Sequence, residues 1–158
     1  MTVRILVADY DDPTHTDAIH AVLAEYVMHP MAGGAPMSED AKERLVPGLR
    51  ALPNGLVLLA FDREEAVGLT ICLFGFSSFA ARPTLNVHDL AVVEKRRGQG
   101  IGRALLTEAE HHARERGCVK MTLEVREPNK NARGLYASFG FDDSEEHRTF
   151  FLEHYLER

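Results

Sequence analysis

The stretch that most limits how this chain can fold is KRRGQGIGR, Lys95 to Arg103, set between an apolar β-rich run and an apolar run with helical spacing. Gly98, Gly100 and Gly102 alternate where a strand gives way to a helix. Glycine costs a helix about 1 kcal/mol relative to alanine, so glycines at the residues that open one need a reason. A glycine turn lets successive N–H groups converge at the positive end of the helix dipole, where phosphates bind. The segment carries four basic side chains and no acidic one, leaving the remainder of the chain at −10 against −6 for the whole. It therefore reads as an anion site. The dinucleotide fingerprint G-x-G-x-x-G fails because position 103 is Arg, and no G-x-x-x-x-G-K-[ST] string occurs.

The hydrophobic pattern places this turn within a β-α-α-β-β-β-α-β-α-β order. Residues 3–8 read as a strand, and Asp11, Asp12 and Pro13 open a helix carrying Ile19, Val22, Leu23 and Tyr26 at helical spacing. After the turn-rich HPMAGGAPM, Ser38 caps a second helix running toward Leu52, which Pro47 is expected to end or kink. Residues 56–61 and 66–76 form a hairpin around 62–65, and 84–93 form the next strand. A helix over 101–116 is stopped by Gly117, a strand follows at 121–125, a short helix at 129–138 is closed by Gly140, and 150–156 form a final strand. Hairpins first and βαβ crossovers later predict an α/β (α+β) fold with a mixed, mostly antiparallel sheet flanked by helices.

No repeat or linker interrupts the 158 residues, so one domain over 1–158 is expected. A chain of this length buries about two thirds of its surface on folding, which makes metal or disulfide staples unnecessary. The acidic excess, 24 residues against 18, argues against a nucleic-acid partner. Cys72 and Cys118 show no disulfide or metal spacing and read as buried thiols, in keeping with a reducing cytoplasm. His111 and His112 diverge by about 100° on their helix, so no metal site is expected. The opening residues lack the pattern of a signal peptide, and no run approaches membrane-span length, so a soluble cytoplasmic protein without a membrane partner is expected.

Arg97, Gly100 and Gly102 form R-x-x-G-x-G, preceded by Leu90-Ala91-Val92 and continuing as RRGQGIGRALL. Downstream, Asn129, Ala132, Leu135, Tyr136, Gly140 and Phe141 fit N-x-x-A-x-x-L-Y-x-x-x-G-F. In both motifs the chain resembles the Gcn5-related N-acetyltransferase (GNAT) family, well over residues 56–141 and by element order alone before them. The resemblance implies a single acetyltransferase domain, a sheet splayed between its fourth and fifth strands, and acetyl-coenzyme A as cosubstrate. It implies the pyrophosphate on the backbone N–H groups of Arg97, Gly98, Gln99, Gly100, Ile101 and Gly102, with Arg103 closing that segment, and pantetheine along Leu90, Ala91 and Val92. A backbone N–H there would polarise the thioester carbonyl. Tyr136 is implied as the acid that protonates the departing thiolate. Asn129 either bonds the cofactor or caps the helix it opens. Glu94 stands where relatives often have proline, a position expected not to touch the ligand.

An attacking amine must be neutral, so the acceptor side needs a base or a water chain. Strand alternation sets Asn86, His88, Leu90 and Val92 on one face and Val87, Asp89, Ala91 and Val93 on the other, unless a bulge intervenes. Imidazoles exchange protons near neutral pH, which makes His88 a candidate base, with Asp89 beside it. Phe76-Ser77-Ser78-Phe79, Pro83 and Val87-His88-Asp89-Leu90 resemble the diamine (spermidine/spermine) acetyltransferase branch, although that branch has an acidic residue where this chain has His88. The charge outside the glycine turn favours a small cationic primary amine as acceptor. Acetylation of proteins or peptides and a non-catalytic acetyl-coenzyme A sensor are the competing readings, and a homodimer is the assembly kept in view.

Overall fold

The computed structural model describes residues 3–142 and 150–157. Five strands lie side by side in chain order: β1 (Val3–Val7), β2 (Gly55–Asp62), β3 (Glu65–Ser77), β4 (Arg82–Val92) and β5 (Met121–Leu123). The pairings from β1 to β4 are antiparallel and β4 to β5 is parallel, the mixed sheet that hairpins followed by a crossover produce. Helices α1 (Pro13–Val27) and α2 (Glu39–Ala51) precede β2, α3 (Ile101–Glu115) crosses from β4 to β5, and α4 (Lys130–Phe139) follows β5.

Short polar side chains start three of these helices. Asp12 Oδ1 accepts from Thr14 N at 2.8 Å, Ser38 Oγ from Ala41 N at 3.1 Å and Asn129 Oδ1 from Ala132 N at 3.2 Å. Gly140 closes α4 in the left-handed conformation at φ 116°. Pro47 does not end α2, which continues to Ala51. The helix buries none of its residues, so the carbonyl that loses its bond to Pro47 stays within reach of water.

The core lies between the sheet and α1 and α3. Ile101, Leu105, Leu106, Ala109 and Ala113 form the buried stripe of α3, and Ala18, Ile19, Val22 and Leu23 that of α1. In α1 the buried stripe holds Ile19, Val22 and Leu23 of the spacing read from the sequence, while Tyr26 is only half-buried.

The final strand expected at 150–156 is absent. Among the described residues none pairs with this segment, and Phe150, Phe151, Leu152, Tyr155 and Leu156 are exposed. β propensity is a local signal, and a strand needs a partner backbone as well.

β5 pairs with β4 only between Leu85–Val87 and Met121–Leu123, while β4 runs on to Val92. The two strands part company there, as the splayed sheet requires. The C-terminal end of β4 therefore presents an open edge, and the site is built along it.

Candidate active site

After β4 the chain makes one 3-10 turn (Glu94–Arg96), passes Arg97 to Gly100 and enters α3. Gly98 and Gly100 have φ of 73° and 83°, a region that only glycine enters without strain. Among the described residues, no acceptor takes a hydrogen bond from the N–H groups of residues 98–103, which lie at the positive end of the α3 dipole. An anion is the complement of such a row. A Cβ on Gly102 would stand 3.1 Å from Leu135 Cδ2, so the start of α3 packs closely on α4.

The four cations of the segment divide into two pairs. Lys95 pairs with Glu65 and Arg96 with Asp62, whose carboxyl the Arg96 guanidinium holds below its usual range by hydrogen bonding. Their charge is locally balanced. Arg97 and Arg103 form no ion pair among the described residues: Arg97 Nε donates to Val92 O at 3.1 Å and Arg103 Nη2 to Ser138 Oγ at 2.6 Å. These two supply the positive field of the cleft. Gln99 is turned away from it, donating to Lys95 O at 3.3 Å.

On β4 the strand alternation read from the sequence is interrupted. Asp89 lies opposite Ile71 and Val87 opposite Cys72, which leaves His88 as an extra, bulged residue. Leu85 and Val87 consequently share a face with Leu90 and Val92, while Asn86 shares the other with Asp89 and Ala91. Beyond the bulge Val93 N donates to Val67 O at 3.1 Å, so the main-chain groups of Leu90 and Val92 turn the other way, toward the open edge. Ala91 keeps its side chain in the core.

The bulge is held by Thr70, the one buried polar side chain among the described residues, whose hydroxyl donates to Asp89 O at 2.7 Å. That bond satisfies a carbonyl where the ladder is broken. Thr70→Val keeps the shape and leaves the carbonyl unpaired at a cost of about 1–3 kcal/mol, expected as a fall of about 3–10 °C in melting temperature. Thr70→Ser should recover most of the loss in the same thermal scan.

His88 projects outward, its side chain 62% exposed, with Nε2 3.9 Å from Asp89 Oδ2. Asp89 is the more buried of the two, and desolvation raises its carboxyl above the ordinary value while His88 pulls it back. Neither lines the cleft, although both stand beside it on β4.

The cleft encloses about 600 Å³ between the glycine loop, the open edge of β4, α4 and the end of α1. Asn129, Leu135 and Tyr136 line it from α4. Asn129 serves as the N-cap of that helix and faces the cleft as well. Tyr136 packs edge-on against Phe141, with centroids 5.9 Å apart, and burial together with the neighbouring Tyr26 pushes its hydroxyl up to about 12. Tyr26, His29 and Met31 complete the wall from the α1 side. By spacing Tyr26 belongs to the apolar stripe of α1; its place in the last turn, before the HPMAGG segment, is the signal for a cleft residue.

Ile101 is buried and stands among the residues lining the cleft. Phe76 and Phe79 lie exposed at the β3–β4 hairpin and, with Ser77 and Ser78, are absent from the lining. Burial pushes the Cys72 thiol up to about 11 and raises that of Cys118, which leaves neither as a ready thiolate. Among the described residues no group of three or more His, Cys, Asp or Glu side chains is placed to hold a metal, and no helix is long and apolar enough to cross a membrane.

The sequence profile of the "Acetyltransferase (GNAT) family" matches residues 18–141, which include β4, the glycine loop, α3 and α4. The chain belongs to the GNAT family. A solved structure described as a probable acetyltransferase superposes with a TM-score of 0.81 at 24% identity, covering 96% of this chain and 99% of that one, and so shares the GNAT fold. The N-alpha-acetyltransferase MAK3 of Arabidopsis thaliana is 36% identical over 86 residues, 54% of this chain and 44% of its own. The thialysine N-epsilon-acetyltransferase of Bos taurus is 32% identical over 77 residues, 49% of this chain and 45% of its own. The chain thus spans about half the length of the curated relatives it matches.

Proposed function

We propose that this GNAT protein is an acetyl-coenzyme A-dependent N-acetyltransferase that passes the acetyl group directly to a primary amine on a small cationic molecule. The observation that carries this is the row of N–H groups at 98–103 that have no acceptor among the described residues, set at the end of an open strand edge and across a cleft from Tyr136. Acetyl-coenzyme A, when bound, supplies an activated thioester.

The residues present suit that ligand. The N–H groups of 98–103 and the guanidinium groups of Arg97 and Arg103 would hold the pyrophosphate, and the main chain of Leu90 and Val92 would pair with the pantetheine amides. A main-chain N–H on the same edge would polarise the thioester carbonyl. Tyr136 keeps its proton across the physiological range and would deliver it to the departing sulfur. Asp89 and His88, which stand beside the cleft, would draw the proton from the attacking ammonium through water. Asn129 would add a hydrogen bond to the ligand from the face of its amide that the cap leaves over.

The net charge outside the glycine loop favours a cation, and the likeness to a thialysine N-epsilon-acetyltransferase supports including thialysine-like amines in a screen. The reading takes 1–158 as one domain in the cytoplasm, and a homodimer would be read by light scattering. The experiment is thiol release from acetyl-coenzyme A with a panel of diamines, lysine analogues and peptides with free N-termini. Release with small diamines supports the proposal, and release with peptides alone moves the acceptor to the protein class.

A further inference from the structure

Two phenols stand on the walls of the cleft, and the mechanism above uses one. Tyr136 comes from α4 and Tyr26 from the last turn of α1, close enough for Tyr26 to help raise the Tyr136 hydroxyl. Tyr26 is also within the field of the Asp89 carboxylate and of Arg126, whose Nη1 donates to Pro30 O at 3.5 Å from across the α1–α2 connection. Among the described residues neither Tyr26 nor Tyr136 has a hydrogen-bond partner for its hydroxyl, although both rings are half-buried. A phenol so placed is left to bond whatever enters the cleft.

The wall carrying Tyr26 is tied to the glycine loop. Glu25 accepts the N–H of Glu94 at 2.5 Å, joining the end of α1 to the point where the chain leaves β4, 69 residues further on. Glu94 therefore matters through its backbone donor, which a proline there would lack.

We propose that Tyr26 is the residue that binds and aims the acceptor nitrogen, its hydroxyl bonding the amine between the two phenols, with Glu25 as the positioning residue that keeps Tyr26 in register with the loop. This rests on the reading of the cleft as the site of acetyl transfer.

The test is steady-state kinetics on the full chain with the best amine of the screen, alongside calorimetric titration of acetyl-coenzyme A. Tyr26→Phe should lower kcat/KM for the amine about 10- to 100-fold, the worth of a hydrogen bond to a charged group, with the Kd for acetyl-coenzyme A within twofold of wild type. Glu25→Ala should reproduce part of that loss, and Glu25→Gln, which keeps an acceptor oxygen, should restore it. A Tyr26→Phe protein whose amine kcat/KM stays within twofold of wild type overturns the proposal alone. Equal losses in amine and acetyl-coenzyme A binding do so too, since they would mark a merely structural role. Absence of turnover in the wild type would overturn the transferase reading and this proposal with it.

Discussion

Gly100→Val is expected to abolish acetyl-coenzyme A binding in a protein that still folds. Gly100 sits at φ 83°, and a Cβ built there meets nothing within 4 Å, so the penalty comes from backbone conformation rather than from collision with the core. Holding an L residue in that region costs about 1–2 kcal/mol, and a β-branched one is the least tolerant of it. The fold should survive with a melting temperature lower by about 2–8 °C. Relief of the strain requires φ to turn negative, and that rotation swings the N–H groups of 98–103 out of their common focus. Affinity should fall at least about 100-fold, equivalent to about 2.7 kcal/mol, measured by calorimetry on protein with an unchanged far-ultraviolet spectrum. Retained affinity would show that the loop is not what holds the ligand.

Tyr136→Phe is expected to separate chemistry from binding. The substitution keeps the ring against Phe141 and removes only the hydroxyl, which has no protein partner among the described residues. Turnover with the best amine should fall by about 10²- to 10⁴-fold, the usual worth of a positioned general acid, while the Kd for acetyl-coenzyme A stays near the wild-type value. A free thiol with a pKa near 8.5 leaves fairly well unaided, which sets the expectation at the low end of that range. The pH dependence gives a second reading. Because burial raises the Tyr136 hydroxyl to about 12, the proton donor is present at every lower pH, and the wild-type rate should show no descending limb from this group below about pH 11. Tyr136→Phe should therefore lower the profile without changing its shape. A kcat within twofold of wild type would remove Tyr136 from the mechanism.

What could be read from the sequence was whatever is encoded locally. Asp12, Ser38 and Asn129 declare helix starts by their own side chains, Gly140 declares an end, and the alternating glycines declare a turn whose N–H groups face outward. These depend on neighbours within a few positions. The features that escaped depend on partners far along the chain. The bulge at His88 follows from the register of β4 against β3 and from the Thr70 hydroxyl, 19 positions from the carbonyl it bonds. Lys95 and Arg96 read as part of the anion site until the β2–β3 hairpin brings Asp62 and Glu65 against them. Tyr26 has the spacing of a core residue and becomes a cleft residue because α1 ends at that point. Residues 150–156 are rich in aromatic and apolar residues, as strands are, and have no partner among the described residues.

The central claim, transfer of an acetyl group from acetyl-coenzyme A to an amine held in this cleft, is tested most directly by following both products at once. Wild-type protein is incubated with acetyl-coenzyme A and the panel of diamines, lysine analogues and peptides, thiol release is recorded, and the amine is weighed by mass spectrometry. The account predicts one amine gaining one acetyl group for each thiol released, and little release when the amine is left out. Tight binding of acetyl-coenzyme A with no acetylated amine and no thiol from any member of the panel would contradict it and mark the chain as a sensor.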